Sequence, residues 1–415
     1  MKIGIAGYVG TESIAPLLGC DTSSLPKGFP GAPFFGALVA ALLDRQHDVS
    51  VYTLSDDIPP SQKRPTVARN GRLSVYYCPY RRHSFRPNGL YLGRSLDFFR
   101  LERNMLREAM LADAPDVVHA HWTYELALAA MKSGLPYVVT CHDSPLKVLL
   151  FFKNAYRLGR YFMARAVLKQ ATCLTAVSPY LRDEVKSMAS VPIEVVPNPL
   201  PASLLEMAPE QPREVDRAAP QVAMVLNGWI GLKNPKGGLT AFGMLRKAVA
   251  SAELHVFGTD YEPDGPAAQW AKREGLTTGV RFHGALPHRD LLIALRSMHL
   301  LLHPSLEEAG SMIVTEAMAL GLPIIGGTKS GAMPWITGNG AAGIMTDVTQ
   351  PELLCGAIRE LLSDPARHAR CAREAVSRAR GVFSAESVAK QYEAVYRTAL
   401  REHLPVSAAP RRSTA

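Results

Sequence analysis

Two glutamates, Glu308 and Glu316, stand eight residues apart around a predicted junction of loop and helix. An apolar run ends before Glu308, Gly310 and Ser311 follow, and a helix is predicted to begin near Ser311. The first amides of a helix are unpaired and carry a partial positive charge, so such a junction can bind a diphosphate. Carboxylates beside it can accept hydrogen bonds from hydroxyls. On spacing alone, Glu316 could equally complement the helix dipole, with Glu308 an ordinary loop charge.

The residues around the pair carry a more specific pattern. Pro304-Ser305-x-x-Glu308 is followed, after seven residues, by Glu-Ala-Met-Ala-x-Gly-x-Pro, which begins at Glu316. This stretch resembles the signature of the retaining family 4 glycosyltransferases of the GT-B fold. The resemblance implies that Glu308 acts beside the donor sugar and that Glu316 binds the ribose of a nucleotide-sugar donor. Gly310 and Ser311 would then lie at the donor phosphates.

The bulk composition predicts a cytoplasmic protein of two domains. A chain of 415 residues can bury two separate cores, and 47% hydrophobic with 20% charged residues is typical of globular proteins. No apolar run approaches the roughly 18–20 residues that a membrane span needs. The chain starts directly with a predicted strand instead of a signal peptide. Six scattered cysteines without a Cys-x-x-Cys pair argue against disulfides and structural zinc.

The net charge of +9 is concentrated in the N-terminal half. Residues 58–96 and 144–182 contain no acidic residue, which predicts an anionic partner for this half. No fold signature or aromatic-basic pattern indicates nucleic acid.

Residues 147–169 are predicted to form a helix with one basic face, which contains Lys153, Arg157 and Arg160. We expect its opposite, apolar face to pack on a sheet while the basic face is solvated. The alternative is that the basic face binds an anionic membrane surface or a lipid-pyrophosphate acceptor, which would make the protein peripheral on the inner face of the membrane.

Short β-branched runs alternate with helical patterns throughout, which predicts two α/β domains with parallel sheets. The predicted strands are Lys2–Ala6, Asp48–Thr53, Asp116–Ala120, Tyr137–Thr140, Cys173–Val177, Ile193–Val196, Ala223–Leu226, Glu253–Phe257, Val280–His283, Leu300–His303, Pro323–Ile325 and Gly343–Met345. The long helix of the first half is predicted over Val148–Gln170.

The expected organisation is a GT-B arrangement of two Rossmann-like, doubly wound domains that face each other across a cleft. Residues 1–200 form the acceptor-side domain and 220–383 the nucleotide-sugar domain, joined by a linker at 201–219 that is rich in proline and charge. A helix over 384–403 is expected to return to the first domain, and 404–415 to form a flexible tail.

Histidines follow two predicted strands, where ligands of doubly wound sheets bind. His119, His121 and His142 stand there, although lone histidines are more often structural. Their spacing fits no standard zinc pattern, and the resemblance implies neither a catalytic metal nor another cofactor. It places His142 at the donor sugar as a catalytic residue, while His119 and His121 shape the cleft wall or meet the acceptor.

Two loops are predicted to hold the donor diphosphate. The segment 28–32 resembles the family's glycine loop, in which Gly31 would meet a phosphate. In the second half, alignment places Lys233 at the family's phosphate-binding lysine, with Lys236 as the alternative. The family's arginine is missing, because Gly228 or Trp229 stands in its place. This loss removes a bidentate phosphate ligand that a lysine cannot replace.

The resemblance thus implies a retaining, hexosyltransferase-type enzyme that moves a sugar from a nucleotide-sugar to a hydroxyl. Its acceptor would be a sugar, a lipid-linked or polysaccharide precursor, or a small metabolite. Two alternatives stay open: a nucleotide-sugar epimerase of the same fold, and a non-catalytic glycan-binding or scaffold subunit that has lost the arginine.

Overall fold

The computed structural model describes residues 1–29, 32–216 and 218–403. The chain divides into two compact units. The first unit comprises Met1–Pro199 and the segment that begins at Ala385, and the second unit is Leu200–Ser384. Each unit is an α/β structure built around one sheet. The predicted tail, 404–415, lies outside the described residues.

The first unit contains an eight-stranded sheet with the order β3-β4-β2-β1-β5-β6-β7-β8. Only β3 runs antiparallel, against β4. The central strands are almost wholly buried, as expected of a sheet covered by helices on both faces. The strands are β1 (Lys2–Ala6), β2 (Asp48–Ser55), β3 (Thr66–Asn70), β4 (Leu73–Pro79), β5 (Val117–His121), β6 (Tyr137–Cys141), β7 (Leu174–Ala176) and β8 (Ile193–Val195).

Helices connect these strands. They are α1 (Thr11–Leu18), α2 (Phe34–Asp44), α3 (Arg100–Asp113), α4 (Glu125–Ser133), α5 (Pro145–Phe152), α6 (Ala155–Gln170) and α7 (Pro179–Val185).

The second unit contains a six-stranded parallel sheet with the order β11-β10-β9-β12-β13-β14. Its strands are β9 (Gln221–Val225), β10 (Glu253–Phe257), β11 (Val280–Gly284), β12 (Leu300–Leu302), β13 (Ile324–Gly327) and β14 (Gly343–Thr346). The order reverses between β9 and β12, so the loops that follow these two strands lie side by side, which is where doubly wound sheets bind ligands. The core is formed by the sheet with apolar residues such as Leu239, Phe242 and Ile358.

The helices of this unit are α8 (Ala202–Glu206), α9 (Pro235–Ala248), α10 (Pro266–Arg273), α11 (His288–Leu295), α12 (Met312–Ala319), α13 (Met333–Ile336), α14 (Pro351–Ser363) and α15 (Pro365–Phe383). Helix α8 lies within the segment 201–219 that the sequence predicts to be a linker. A last helix, α16 (Ala385–His403), belongs to the first unit.

Every predicted strand is present, with ends that shift by at most two residues. The predicted helix Val148–Gln170 is wrong, because the chain forms α5 and α6 instead. Lys153 adopts a left-handed conformation with φ 46°, and the side chain of Asn154 caps α6 by accepting a hydrogen bond from the Arg157 amide. Strands β3 and β4 were not predicted.

The predicted faces of this segment are also wrong. Arg160 is buried and forms an ion pair of 3.0 Å with the buried carboxylate of Glu125, so it does not belong to a solvated basic face. Conversely, Phe151, Leu158 and Phe162 are exposed. The inward side of α6 therefore combines Arg160 with apolar residues such as Met163 and Val167. Among the described helices, none is long and apolar enough to cross a membrane.

Helix α16 is attached to the first unit by a buried carboxylate. Glu393 accepts hydrogen bonds from Arg45 at 2.6 and 2.8 Å and pairs with His47 Nε2 at 2.8 Å. The hydrogen bond from Arg45 is the main cause that lowers the pKa of Glu393 to about 2. Because the folded pKa lies below that of an unfolded glutamate, this contact stabilises the fold above the unfolded pKa. The contribution is lost as the pH falls toward 2.

We therefore predict that Glu393→Gln lowers the free energy of unfolding by about 2 kcal/mol at pH 7, since it removes a charged acceptor from the partly buried Arg45 and the buried His47. Thermal unfolding from pH 7 to 3 would measure it, and the gap to wild type should narrow below pH 5. Glu386→Gln on the same helix is the control, because Glu386 forms an exposed pair with Lys390. A gap that is constant with pH would contradict this assignment.

Candidate active site

The loop after β9 carries Lys233. Gly228 has φ 81°, and the Trp229 amide donates a hydrogen bond of 2.8 Å to Asp260. A single 3₁₀ turn, Gly231–Lys233, follows and ends at Asn234, whose left-handed backbone has φ 47°. The Asn234 side chain donates to the Val348 carbonyl at 2.7 Å, which anchors the turn to the rest of the unit.

The loop after β12 carries Glu308 and is tied to the Lys233 loop. The Leu306 amide donates to the Leu232 carbonyl at 2.8 Å, and the Ser305 hydroxyl donates to the same oxygen at 3.3 Å. These bonds hold the two loops at one end of the sheet, so Lys233 and Glu308 meet.

Glu308 is the centre of a buried polar cluster. Its Oε1 atom accepts from Lys233 Nζ at 2.6 Å and from His303 Nε2 at 2.9 Å. The Oε2 atom accepts no hydrogen bond from another described residue. Burial raises the pKa of Glu308, but the interactions with His303 and Lys233 outweigh it and lower the pKa to about 2. Glu308 is therefore a carboxylate at neutral pH.

Helix α12 begins where the sequence predicts. Ser311 is its N-cap residue, but the Ser311 side chain makes no capping hydrogen bond. The first amides of the helix thus remain available to an anion. Gly310 precedes this cap and is partly exposed. The helix ends at Ala319, and Gly321 follows with φ 75°, as predicted for a helix terminator.

Glu316 lies in the middle of α12 and is buried. Its Oε1 atom pairs with His288 Nε2 at 2.9 Å, and the hydrogen bond to Glu316 raises the pKa of His288. The His288 side chain is 49% exposed, whereas that of Glu316 is 5% exposed. Both glutamates of the sequence motif therefore hold a nitrogen donor in this structure.

The structure thus brings five of the predicted residues into one unit: Lys233, Glu308, Gly310, Ser311 and Glu316. The alternative lysine, Lys236, lies over the Trp270 ring at 5.6 Å instead. Trp229 also packs on Trp270, with ring centroids 5.6 Å apart. Trp229, one of the two candidates for the position of the missing arginine, therefore belongs to an aromatic cluster.

Two other predicted residues lie elsewhere. Gly31 is outside the described residues. His142 belongs to the first unit, where its Nε2 atom pairs with His121 Nδ1 at 2.9 Å and its ring packs on Trp122. Burial lowers the pKa of His142 to about 3, so its imidazole is neutral at pH 7. Trp122 adopts φ 64°, a strained conformation for a large side chain.

His119 makes structural contacts. Its Nδ1 atom bonds Tyr396 OH on α16 at 2.8 Å, and its Nε2 atom bonds Thr140 Oγ1 at 2.6 Å. Burial is the main cause that lowers its pKa to about 3. Both ring nitrogens are thus engaged inside the protein.

Several polar residues that contact the predicted ones or form buried clusters were not singled out from the sequence. In the first unit, Tyr8 bonds Glu125, and Arg160 donates to Tyr8 OH at 3.1 Å. In the second unit, His303 and His288 are the partners of the two glutamates. His303 directly follows β12, so the rule that ligands gather at strand ends could have found it. Among the residues described, no group of three or more His, Cys, Asp or Glu could hold a metal ion.

Comparisons with known proteins identify the family of the chain. The model described as "Glycosyltransferase Family 4" matches residues 34–204, and "Glycosyl transferases group 1" matches 220–378. An MMP alpha-(1->4)-mannosyltransferase of Mycolicibacterium hassiacum is 29% identical over 300 residues, which cover 69% of this chain and 71% of that protein.

Two solved structures share the fold. Sucrose-phosphate synthase of Thermosynechococcus elongatus superposes with a TM-score of 0.71 at 16% identity, covering 97% of this chain and 100% of that one. Anabaena HepE in complex with UDP gives 0.65 at 15% identity, covering 96% and 100%. The two family models together span most of the sequence. The chain therefore belongs to the family 4 glycosyltransferases with the GT-B fold.

Proposed function

We propose that this glycosyltransferase transfers a hexose from a nucleotide-sugar to a hydroxyl acceptor with retention at the anomeric carbon. The observation that carries the proposal is the Lys233–Glu308 pair next to the uncapped start of α12. A cation and the first amides of a helix suit a diphosphate, and a buried carboxylate whose Oε2 atom has no donor among the described residues suits sugar hydroxyls. The UDP bound to HepE supports a nucleotide donor.

Each residue has a role in this reaction. The leaving diphosphate would be stabilised by Lys233, by the first amides of α12 and by Gly310, Ser311 and Gly31. Glu308 would hold hydroxyls near the reacting carbon, and Glu316 would bind the ribose. His142 would contact the donor sugar as a neutral hydrogen-bonding group. The bond from the anomeric carbon to the diphosphate breaks, the acceptor oxygen bonds on the same face, and its proton passes to the departing diphosphate.

A panel of nucleotide sugars tests this function against the alternatives. Incubation with UDP-, GDP- and ADP-hexoses should give transfer, or slow hydrolysis when no acceptor is present. Isomerisation of the donor would indicate an epimerase, and no reaction with any donor would favour a non-catalytic subunit. A thermal-shift screen with the three nucleoside diphosphates identifies the base first, since a ligand of the native state raises apparent stability.

We predict that Glu316→Ala weakens binding of the preferred nucleoside diphosphate by about tenfold or more, because the ribose loses a charged acceptor. Titration calorimetry measures the affinity. Glu352→Ala, at an exposed position of α14, is the control. An unchanged affinity in Glu316→Ala would remove the ribose role.

We also predict that Glu308→Ala lowers turnover by about 100-fold or more, since an interaction with the reacting sugar is lost. Binding of the nucleoside diphosphate, which lacks the sugar, should not be weakened. Turnover and affinity are measured on the same preparation, with Glu274→Ala as an exposed control. Full activity would place Glu308 outside the reaction.

The acceptor class is supported by the surface of α5 and α6. Leu150, Phe151 and Phe152 are exposed next to Lys153, and Arg157 lies on the following turn. Apolar side chains beside cations suit an anionic membrane surface and hence a lipid-linked acceptor on the cytoplasmic side.

We accordingly predict that the protein sediments with vesicles that contain anionic lipid, and that Leu150→Ser with Phe152→Ser reduces this binding about tenfold. Leu353→Ser, an exposed residue of the second unit, should have no effect. Equal binding by all variants would show that this surface is not the membrane contact, and no binding by wild type would argue for a soluble acceptor.

A further inference from the structure

If the proposed function holds, Lys233 interacts with two anions, the Glu308 carboxylate and the donor diphosphate. In this structure its Nζ atom lies 2.6 Å from Glu308 Oε1, at a side chain that is 24% exposed. In the donor complex the same nitrogen is needed at the diphosphate. A lysine carries a single point charge on one nitrogen. Its Nζ atom therefore cannot lie between two phosphates and on the Glu308 carboxylate at the same time.

Removal of Lys233 from Glu308 would leave a buried carboxylate, which is costly without another partner. The second partner is already in place. His303 Nε2 lies 2.9 Å from the same oxygen, Oε1, and His303 is 2% exposed. The His303 amide donates to the Ile325 carbonyl at 2.8 Å, which fixes the backbone of His303 to the neighbouring strand β13. His303 is therefore held in place, whereas Lys233 is long and flexible.

The other atoms of the His303 ring support this role. The Nδ1 atom is buried and has no hydrogen-bond partner among the described residues. Among the described residues, Glu308 is thus the side-chain partner of the ring, and Nε2 is the nitrogen that contacts it.

We propose that Lys233 is exchanged from Glu308 to the donor diphosphate and that His303 is the positioning residue that keeps Glu308 ionised and oriented when Lys233 leaves. This inference rests on the proposed function. It has a consequence that a simple donor-binding role for Glu308 does not have: in the free enzyme, Glu308 competes with the diphosphate for Lys233.

Four variants test the exchange by calorimetry with UDP, GDP and ADP as probes. Glu308→Gln should bind the preferred diphosphate about fivefold more tightly than wild type, because Lys233 is no longer held by a carboxylate. His303→Leu should bind it about threefold more weakly, because Glu308 then depends on Lys233 alone. His303→Gln should approach wild type, since the glutamine amide nitrogen can replace Nε2 as a donor.

The double variant, Glu308→Gln with His303→Leu, decides whether His303 acts through Glu308. It should bind the diphosphate as tightly as Glu308→Gln alone, because His303 has no further effect once the carboxylate is gone. Thermal unfolding of each variant shows whether it is folded, and His303→Gln keeps the test valid if His303→Leu is not.

The possible failures can be told apart. If wild type binds a diphosphate but Glu308→Gln binds it equally or more weakly, the exchange is wrong and the donor site stands. If the effects of the two single variants simply add, His303 does not act through Glu308. If wild type binds none of the three diphosphates, the proposed function and the exchange both fail.

Discussion

The ionised carboxylate of Glu308 is the constraint on which the donor half of the molecule depends. A carboxylate taken out of water costs several kcal/mol unless cations and hydrogen bonds compensate for it. Here the compensation comes from two different strand ends, since His303 follows β12 and Lys233 follows β9. The reversal of strand order between β9 and β12 makes these ends adjacent, so the sheet topology is what makes the burial of Glu308 possible.

Local sequence pattern explains how much of the fold could be predicted. Each strand of a doubly wound sheet is a short apolar run that depends on local pattern, so all predicted strands are present. The residues at the strand ends follow from the same rule, and the structure brings Lys233, Glu308 and the start of α12 into one unit. Strand β3 is short, half polar and antiparallel at the end of an otherwise parallel sheet, so no clear pattern predicts it. Strand β4 is an apolar and aromatic run that the same rule could have found.

What the sequence could not predict depends on partners that are distant along the chain. A helical wheel of 147–169 shows a basic and an apolar side, but it does not show that Glu125 is buried beside Arg160. The inward side of α6 combines Arg160 with apolar residues such as Met163, and Phe162 lies on the exposed side. Likewise, His288 is 28 residues from Glu316, and no local pattern joins them.

The proposed exchange of Lys233 between Glu308 and the diphosphate matters more because the family arginine is replaced. With an arginine at position 228 or 229, a diphosphate would have a bidentate cation in addition to Lys233. Trp229 instead packs against Trp270, and Asp260 holds its amide. In the proposed donor complex, Lys233 and the amides of α12 then carry the diphosphate charge, and the lysine must leave a buried acid to do so. In that proposed complex, His303 is the donor that stays at Glu308, since its Nε2 atom lies 2.9 Å from Oε1.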